Sequence, residues 1–546
     1  MGIVVRAIRG CNRMTSLVPQ NLNKSTGMYG VNKSVTVSND FFGFNVLNYP
    51  VAQYGSVTSA PTIPYSIFRT HDCGYLKWWD IQPTASNVFI WSNADTILNY
   101  YLNAGKDILF TLYGTPTWAS KRPAEALSPY NVLGGSAEPE NMNDWANYCI
   151  AVATRYPTIK YFEVWNEPNP FVVFVLSGSS GSNTITLANT FNSGLITAGM
   201  LVSPNALGIP ANCMVTGVSG LVVTLSTNLT ANIANQQIEF SPYFTRTCTG
   251  TAGSNSLTVN NGTNIVAGAY LSLNSAQYIV QSISGTTVTL TSNLAKTVSG
   301  VTGTFTYQKT NLFFTGWREN LATMARVANI AIKSVNPNAI ILSPPSGQVS
   351  SFFYPNVYSM PGNDLTQNIE NHPALYTSQV AYNRVTQILT AKDVSGFYYN
   401  GTTGSGTQVS DWVDVIAEHL YIATDFEYQN VCYLKYLFSW LAFAGINKPV
   451  WNTEQGIDTT LSASDGLITQ RLTRAIVLPV LCGCIKSIYY GWDFGGFAIN
   501  NLSDTVKNAL TNNINFVKGK TCIRLLIPYD GGSITAYFTD GSSLVF

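Results

Sequence analysis

Two glutamates stand at the ends of apolar, aromatic-rich segments. Glu167 follows Tyr161-Phe162-Glu163-Val164-Trp165-Asn166, and Glu454 follows Pro449-Val450-Trp451-Asn452-Thr453. β-Branched and aromatic residues suit a buried strand, and Pro168 lacks the amide hydrogen that would continue one. Each segment therefore reads as a strand that carries a carboxyl to its tip. Either glutamate alone reads most simply as a solvated strand end, but a pair so placed is what cleavage of a glycosidic bond asks for. The leaving oxygen of an acetal departs poorly unless it is protonated, and the oxocarbenium-like transition state needs a carboxylate on its other face. One group must hold a proton near neutral pH while the other is ionised. Asn166, next to Glu167, could hydrogen-bond a hydroxyl beside the reacting carbon.

Such a pair needs strands whose C-terminal ends share one rim. Short apolar runs occur at 41–47, 67–71 and 107–113 before the Glu167 segment, and at 339–342, 412–419, 449–453 and 487–492 after it. Helix-length amphipathic segments at 93–104, 141–156, 317–335, 431–443 and 469–482 alternate with them. Strand and helix alternating at this spacing predict parallel βα units. The fold class is α/β, and eight strands predict a (β/α)8 TIM barrel over 37–170 and 308–518, with its chemistry at the C-terminal rim.

Between 171 and 307 the composition changes. Only Glu239, Arg246 and Lys296 are charged there, and the stretch repeats: Gly181-Ser182-Asn183-Thr184-Ile185-Thr186-Leu187 returns as Gly253-Ser254-Asn255-Ser256-Leu257-Thr258-Val259, and 218–225 returns as 283–290. Two small all-β modules are predicted, inserted after the fourth barrel strand. Spacing or packing is their plain role, glycan or partner binding the sharper one. A helix at 503–517 closes the barrel. Residues 519–546 then read as a small β cap with turns at Asp530-Gly531-Gly532 and Asp540-Gly541. Residues 1–36 are polar and aperiodic, and read as an N-terminal arm or linker.

Of the 546 residues 46% are hydrophobic and 10% charged, well below the ~25% charged fraction of an ordinary soluble domain. A net charge of +1 gives no pull toward nucleic acid or an anionic membrane. No apolar run is long enough to span a bilayer, and the first residues show no evident signal peptide. Nine cysteines are scattered without CxxC pairs, and the histidines are His71, His372 and His419. No metal or other cofactor is expected from that spacing.

Trp165-Asn166-Glu167-Pro168 resembles the acid/base signature of clan A glycoside hydrolases, and Trp451-Asn452-Thr453-Glu454 resembles their nucleophile strand. In that clan these lie on the fourth and seventh barrel strands; removing the insert leaves about 150 residues between them, room for three βα units. The resemblance extends to Arg69, to Gly114-Thr115-Pro116-Thr117-Trp118-Ala119 and to Glu418-His419-Leu420-Tyr421. It is nearest to family 39 and covers roughly 41–518 without the insert. It implies a retaining mechanism with Glu454 as nucleophile and Glu167 as acid/base, Glu454 held by Arg69 and Tyr421, and His419 on the same rim. Trp118 and Trp492 are candidates for sugar stacking, with core packing as the alternative. Asp493 and His71 could contact hydroxyls, with capping or core hydrogen bonding the simpler role. Low charge, the polar arm and the repeated insert together resemble phage tail-associated depolymerases. That implies an extracellular, virion-associated enzyme acting on a bacterial exopolysaccharide, with the arm meeting other tail proteins. An exo-acting β-xylosidase-like enzyme and a non-catalytic carbohydrate-binding adhesin are the other readings.

Overall fold

The apolar runs become eight parallel strands: β1 (Phe42–Asn45), β2 (Ile67–Arg69), β3 (Asp107–Leu112), β4 (Tyr161–Val164), β5 (Ile340–Leu342), β6 (Ile416–His419), β7 (Val450–Glu454) and β8 (Ser487–Tyr489). The computed structural model describes residues 28–546 except 32–33, 86–87, 124, 126–127, 169–171, 189–195, 197, 204–207, 242, 263–264, 266, 268, 275, 307–312, 348–383, 422–428 and 529–531. The strands pair in the order β5-β4-β3-β2-β1-β8-β7-β6. Parallel bridges Leu342↔Val415 and Ser346↔Glu418 join the two ends, so the sheet closes into the expected (β/α)8 barrel. Every residue of β1, β2, β6, β7 and β8 is buried. Strands covered on both faces lose the polar half of the alternation.

Ile67, Leu109, Leu342, Ala417, Trp451 and Ile488 form one cluster, which fills the barrel. Phe42, Phe44, Phe68, Ile108, Phe110 and Phe162 belong instead to the larger core shared with the helices. The surrounding helices are Ser92–Asn103, Met142–Arg155, Arg318–Val335, Gln429–Phe443, Asp465–Leu481 and Asp504–Val517. Side chains of Asn141, Ser464 and Ser503 cap three of them by accepting the amides of Asn143, Leu467 and Val506. The run expected as a strand from 412 begins later, because Val409–Trp412 is a helical turn held by a capping box between Gln408 and Asp411.

The insert consists of two all-β units with separate cores. Val172–Gly178, Thr184–Leu187, Val215–Ser219, Val222–Leu225 and Ile233–Phe240 make a five-stranded antiparallel sheet. Tyr243–Gly250, Ser256–Val259, Tyr270–Leu273, Ala276–Ser284, Thr287–Leu290 and Val298–Thr306 close into a six-stranded barrel. Where the second unit has the strand Tyr270–Leu273, the first has single bridges, Leu201↔Met214 and Val202↔Phe240. Glu239 fastens the first unit to the barrel by accepting the Arg318 amide at 3.0 Å, at the start of a barrel helix.

At the C-terminus, Thr521–Pro528, Thr535–Phe538 and Ser543–Val545 form the expected β cap. Its other edge is built from part of the predicted arm: Met28–Val31 and Val35–Thr36 both pair antiparallel with Thr521–Pro528. An edge strand can be held by backbone hydrogen bonds alone, so its sequence carries little apolar pattern. Asp530 and Gly531 of the first expected turn lie outside the described residues. Among the described residues no helix is long and apolar enough to cross a membrane.

Candidate active site

Arg69, the last residue of β2, is fully buried and organises the rim. Its Nε and Nη2 donate to Glu163 Oε2 at 2.9 and 2.6 Å, Nη2 also donates to Asn166 Oδ1 at 2.7 Å, and Nη1 donates to Glu454 Oε2 at 2.5 Å. Glu163 Oε2 accepts as well from Thr111 Oγ1 at 3.0 Å. Burial disfavours the Arg69 cation, but the charges of Glu163 and Glu454 more than offset this and raise its pKa.

Glu454 reaches this cation through a local irregularity. Glu418 pairs with Asn452 but His419 pairs with Glu454, so β7 carries one extra residue there. Trp451 and Glu454, three apart, would face opposite sides of a regular strand; the bulge turns both inward. Tyr421 donates to Glu454 Oε1 at 2.7 Å, so both carboxyl oxygens are fixed. Burial raises the Glu454 pKa, His419 and Arg69 oppose the rise, and the Glu167 and Asp72 charges add to it. Tyr421 is pushed well above its ordinary value by burial and by Glu454, which keeps its phenol a donor.

Glu167 lies just past β4 on a backbone of unusual shape: φ is 65° at Trp165 and 38° at Glu167. Non-glycine residues hold such angles only where their surroundings enforce them. Trp165 is enforced by its indole N–H, which donates to the Phe313 carbonyl at 2.8 Å, and by the rings of Tyr113 and Phe314. Glu167 Oε1 lies 2.7 Å from His419 Nδ1. Burial and the nearby Arg69 charge bring the His419 pKa down to about 4, so the ring is neutral near neutral pH. A neutral imidazole can donate from Nδ1 to an ionised Glu167 or accept from a protonated one, depending on its tautomer.

Glu167, His419 and Glu454 each present a ligand-type atom, and these atoms lie within 4.8 Å of one another. These are residue types that bind transition metals. However, the Arg69 cation at 2.5 Å from Glu454 Oε2 already supplies the positive charge there.

The structure thus brings together Arg69, Asn166, Glu167, His419, Tyr421 and Glu454. The other sequence candidates are each engaged by structural partners of their own. Trp492 is 1% exposed, donates its indole N–H to the Ser59 carbonyl at 2.7 Å and packs edge-on against Phe44, so it is a core residue with no free face for a sugar. Trp118 donates to the Gln82 carbonyl at 3.0 Å and packs against buried Trp78. Asp493 is a loop cap, accepting from the Leu47 and Asn48 amides and from Thr58 Oγ1 at 2.8, 2.9 and 2.6 Å. His71 is buried among Tyr113, Tyr130 and Phe313, with Nε2 2.9 Å from the Tyr130 hydroxyl. Sequence reasoning passed over Glu163, although a carboxyl inside the short apolar run Tyr161-Phe162-Glu163-Val164 signals a buried partner for a cation. It also passed over Asp72 and Tyr130, which no motif marks.

No family model and no curated protein matches this chain. Among solved structures it is similar to a glucosidase from Croceicoccus marinus, with TM-score 0.39 and 9% identity, covering 94% of this chain and 76% of that one. A family 39 glycoside hydrolase from Bacteroides cellulosilyticus WH2 gives TM-score 0.36 and 10% identity over 94% and 78% of the two chains. A family 39 β-xylosidase from Caulobacter crescentus gives 0.36 and 12% over 93% and 77%. Likeness at this level carries no conclusion about activity, and the chemistry has to follow from the rim residues themselves.

Proposed function

We propose that this chain is a retaining glycoside hydrolase of the clan A type, acting on a polysaccharide. One observation carries this: carboxyl oxygens of Glu167 and Glu454 lie within 4.8 Å of each other. Oxygens this near fit the ~5–5.5 Å carboxyl separation of enzymes that pass through a covalent glycosyl intermediate better than the roughly 6.5–9.5 Å that leaves room for an attacking water. Glu454 attacks the anomeric carbon while Glu167 protonates the departing oxygen, one bond forming as the other breaks. Water then enters, Glu167 takes its proton, and the bond to Glu454 is released to the new hydroxyl. Two carboxyls this close favour a state with one proton between them. Arg69 and Tyr421 bond both oxygens of the Glu454 anion, and in this mechanism Glu167 carries the proton.

The test is Glu454→Gln together with the anomeric configuration of the first product by NMR. Hydrolysis by the variant at the wild-type rate sinks the assignment of the nucleophile, and an inverted first product sinks the mechanism. The finer reading is an extracellular, virion-associated enzyme degrading a bacterial exopolysaccharide, its N-terminal residues meeting other tail proteins. A 10% charged fraction and two β units beginning at Val172, just past Glu167, support it. Release of oligosaccharides fits that role. Free monosaccharide as the sole product fits an exo-acting β-xylosidase-like enzyme instead, and binding without cleavage fits an adhesin.

A further inference from the structure

Asp72 follows Arg69 by three residues on the chain leaving β2, and the two-glutamate chemistry makes no use of it. Its side chain is 13% exposed, beside 16% for Glu167 and 8% for Glu454. Oδ1 accepts the Tyr130 hydroxyl at 2.5 Å. Tyr130 is itself fixed by the rings of Trp79 and Tyr113 and by the Lys77 ammonium, 4.4 Å from its ring centre. Among the described residues Asp72 Oδ2 has no hydrogen-bond partner. Arg69, three residues before it, donates to Glu454 Oε2 at 2.5 Å, and beyond the effect of burial the Asp72 charge raises the pKa of Glu454, Tyr490 and Tyr54.

Both cations on which this charge acts are already engaged. Arg69 serves Glu163, Glu454 and Asn166, and Lys77 is 4% exposed against the Tyr130 face. On the same floor His419 Nε2 is fully buried, has no hydrogen-bond partner among the described residues and stands 3.8 Å from Glu454 Oε2. The adjoining wall is aromatic. Tyr490 packs on Phe494 and Phe497 at 5.5 and 5.8 Å, and Phe494 and Tyr54 are exposed. A sugar ring entering here meets apolar faces and the unpaired Asp72 oxygen, and among the described residues no cation is left to neutralise a negative group.

We propose that Asp72 selects the sugar ring that becomes bonded to Glu454: Oδ2 accepts a hydrogen bond from a hydroxyl or an ammonium of that ring, and a uronate is excluded from the position. This rests on the retaining-hydrolase reading. Hydroxyl and ammonium share the required chemistry, a donor without negative charge. An additional carboxylate would have to be desolvated beside Asp72 and Glu454 with no counter-ion among the described residues.

The enzyme is incubated with a panel of purified bacterial exopolysaccharides, and the fragments are reduced with borodeuteride to mark each new reducing end before mass analysis. The expected marked residue is a neutral or amino sugar; a hexuronate there overturns the proposal. On a cleaved polymer, Asp72→Asn lowers kcat/KM roughly tenfold or more, since the site has lost its charged acceptor. Tyr130→Phe, which only frees the carboxylate, costs less. Raising NaCl from about 20 to about 300 mM raises KM if the donor is an ammonium and leaves it unchanged if it is a hydroxyl. An Asp72→Asn protein with native melting and undiminished kcat/KM overturns the proposal. Failure to cleave any glycan defeats the hydrolase reading and the proposal with it, an outcome distinct from cleavage that leaves a uronate at the new end.

Discussion

Arg69→Met is the sharpest test of how the rim is held. The substitution removes four hydrogen bonds of 2.5–2.9 Å and leaves Glu163 and Glu454, 0% and 6% exposed, without their cation. Glu163 keeps the Thr111 hydroxyl and Glu454 keeps Tyr421. Removing one partner of a buried pair costs about 3–5 kcal/mol, because the remaining charge stays desolvated. For a barrel of this size that is a fall in melting temperature of roughly 6–20 °C. A buried carboxyl that loses its cation takes a proton instead, so in the variant its folded pKa stands above its unfolded value of about 4.3. The folded variant therefore binds more protons than its unfolded chain between those two values, and its deficit against wild type shrinks as pH falls through that window. Denaturant titrations at pH 8 and pH 5 measure this directly. Adding Glu163→Gln to the variant removes one of the orphaned charges and should restore part of the loss at pH 8. A variant within about 1 kcal/mol of wild type at pH 8, or an equal deficit at both pH values, would refute the placement of these charges.

Three further outcomes follow from single side chains. His419 has a pKa of about 4 in the fold against about 6.5 unfolded, so its neutral form contributes roughly 3 kcal/mol that is present above pH 6.5 and lost as pH falls toward 4. Melting temperature against pH should therefore be flatter over that window in His419→Asn, while His71, lowered by burial in the same sense, still contributes its share; an unchanged slope counts against a buried neutral His419. Asp493→Ala should cost about 2–3 kcal/mol of stability by releasing the Leu47 and Asn48 amides and Thr58. Lost activity with undiminished stability would instead make Asp493 a substrate contact. Gly43→Ala should destabilise by about 2 kcal/mol or more, since its Cβ would stand 2.2 Å from Ile67 Cγ2 and 2.8 Å from the Ile67 carbonyl oxygen; a neutral result in denaturant titration would contradict the β1–β2 register.

What could be read from the sequence, and what could not, follows from the range of the forces involved. Strand tips were legible because apolar runs and Pro168 act locally, and the repeats because they compare the chain with itself. The fate of Trp492 was not. It follows β8 by three residues in Tyr490-Gly491-Trp492-Asp493, where a rim aromatic would also fall. Only the Trp492 amide donating to the Asn45 carbonyl at 3.0 Å, and its indole donating to Ser59, turn it into the core. Met28–Val31 escaped for a similar reason: its partner lies some 500 residues away and contributes backbone rather than pattern. The bulge that turns Glu454 inward is a property of two strands together, so no reading of β7 alone contains it.

The difference between the two glutamates belongs to the same class. Their local sequences, Trp165-Asn166-Glu167 and Trp451-Asn452-Thr453-Glu454, are close to interchangeable. What separates them is the partner each meets across the rim. Glu454 faces a guanidinium that cannot give up its charge and a phenol that keeps its proton, and both favour the anion. Glu167 faces an imidazole held neutral, which can hydrogen-bond either the protonated or the ionised carboxyl. In the proposed double displacement that asymmetry is the division of labour: a fixed anion on β7, and beyond β4 a carboxyl that must gain and lose a proton in every turnover.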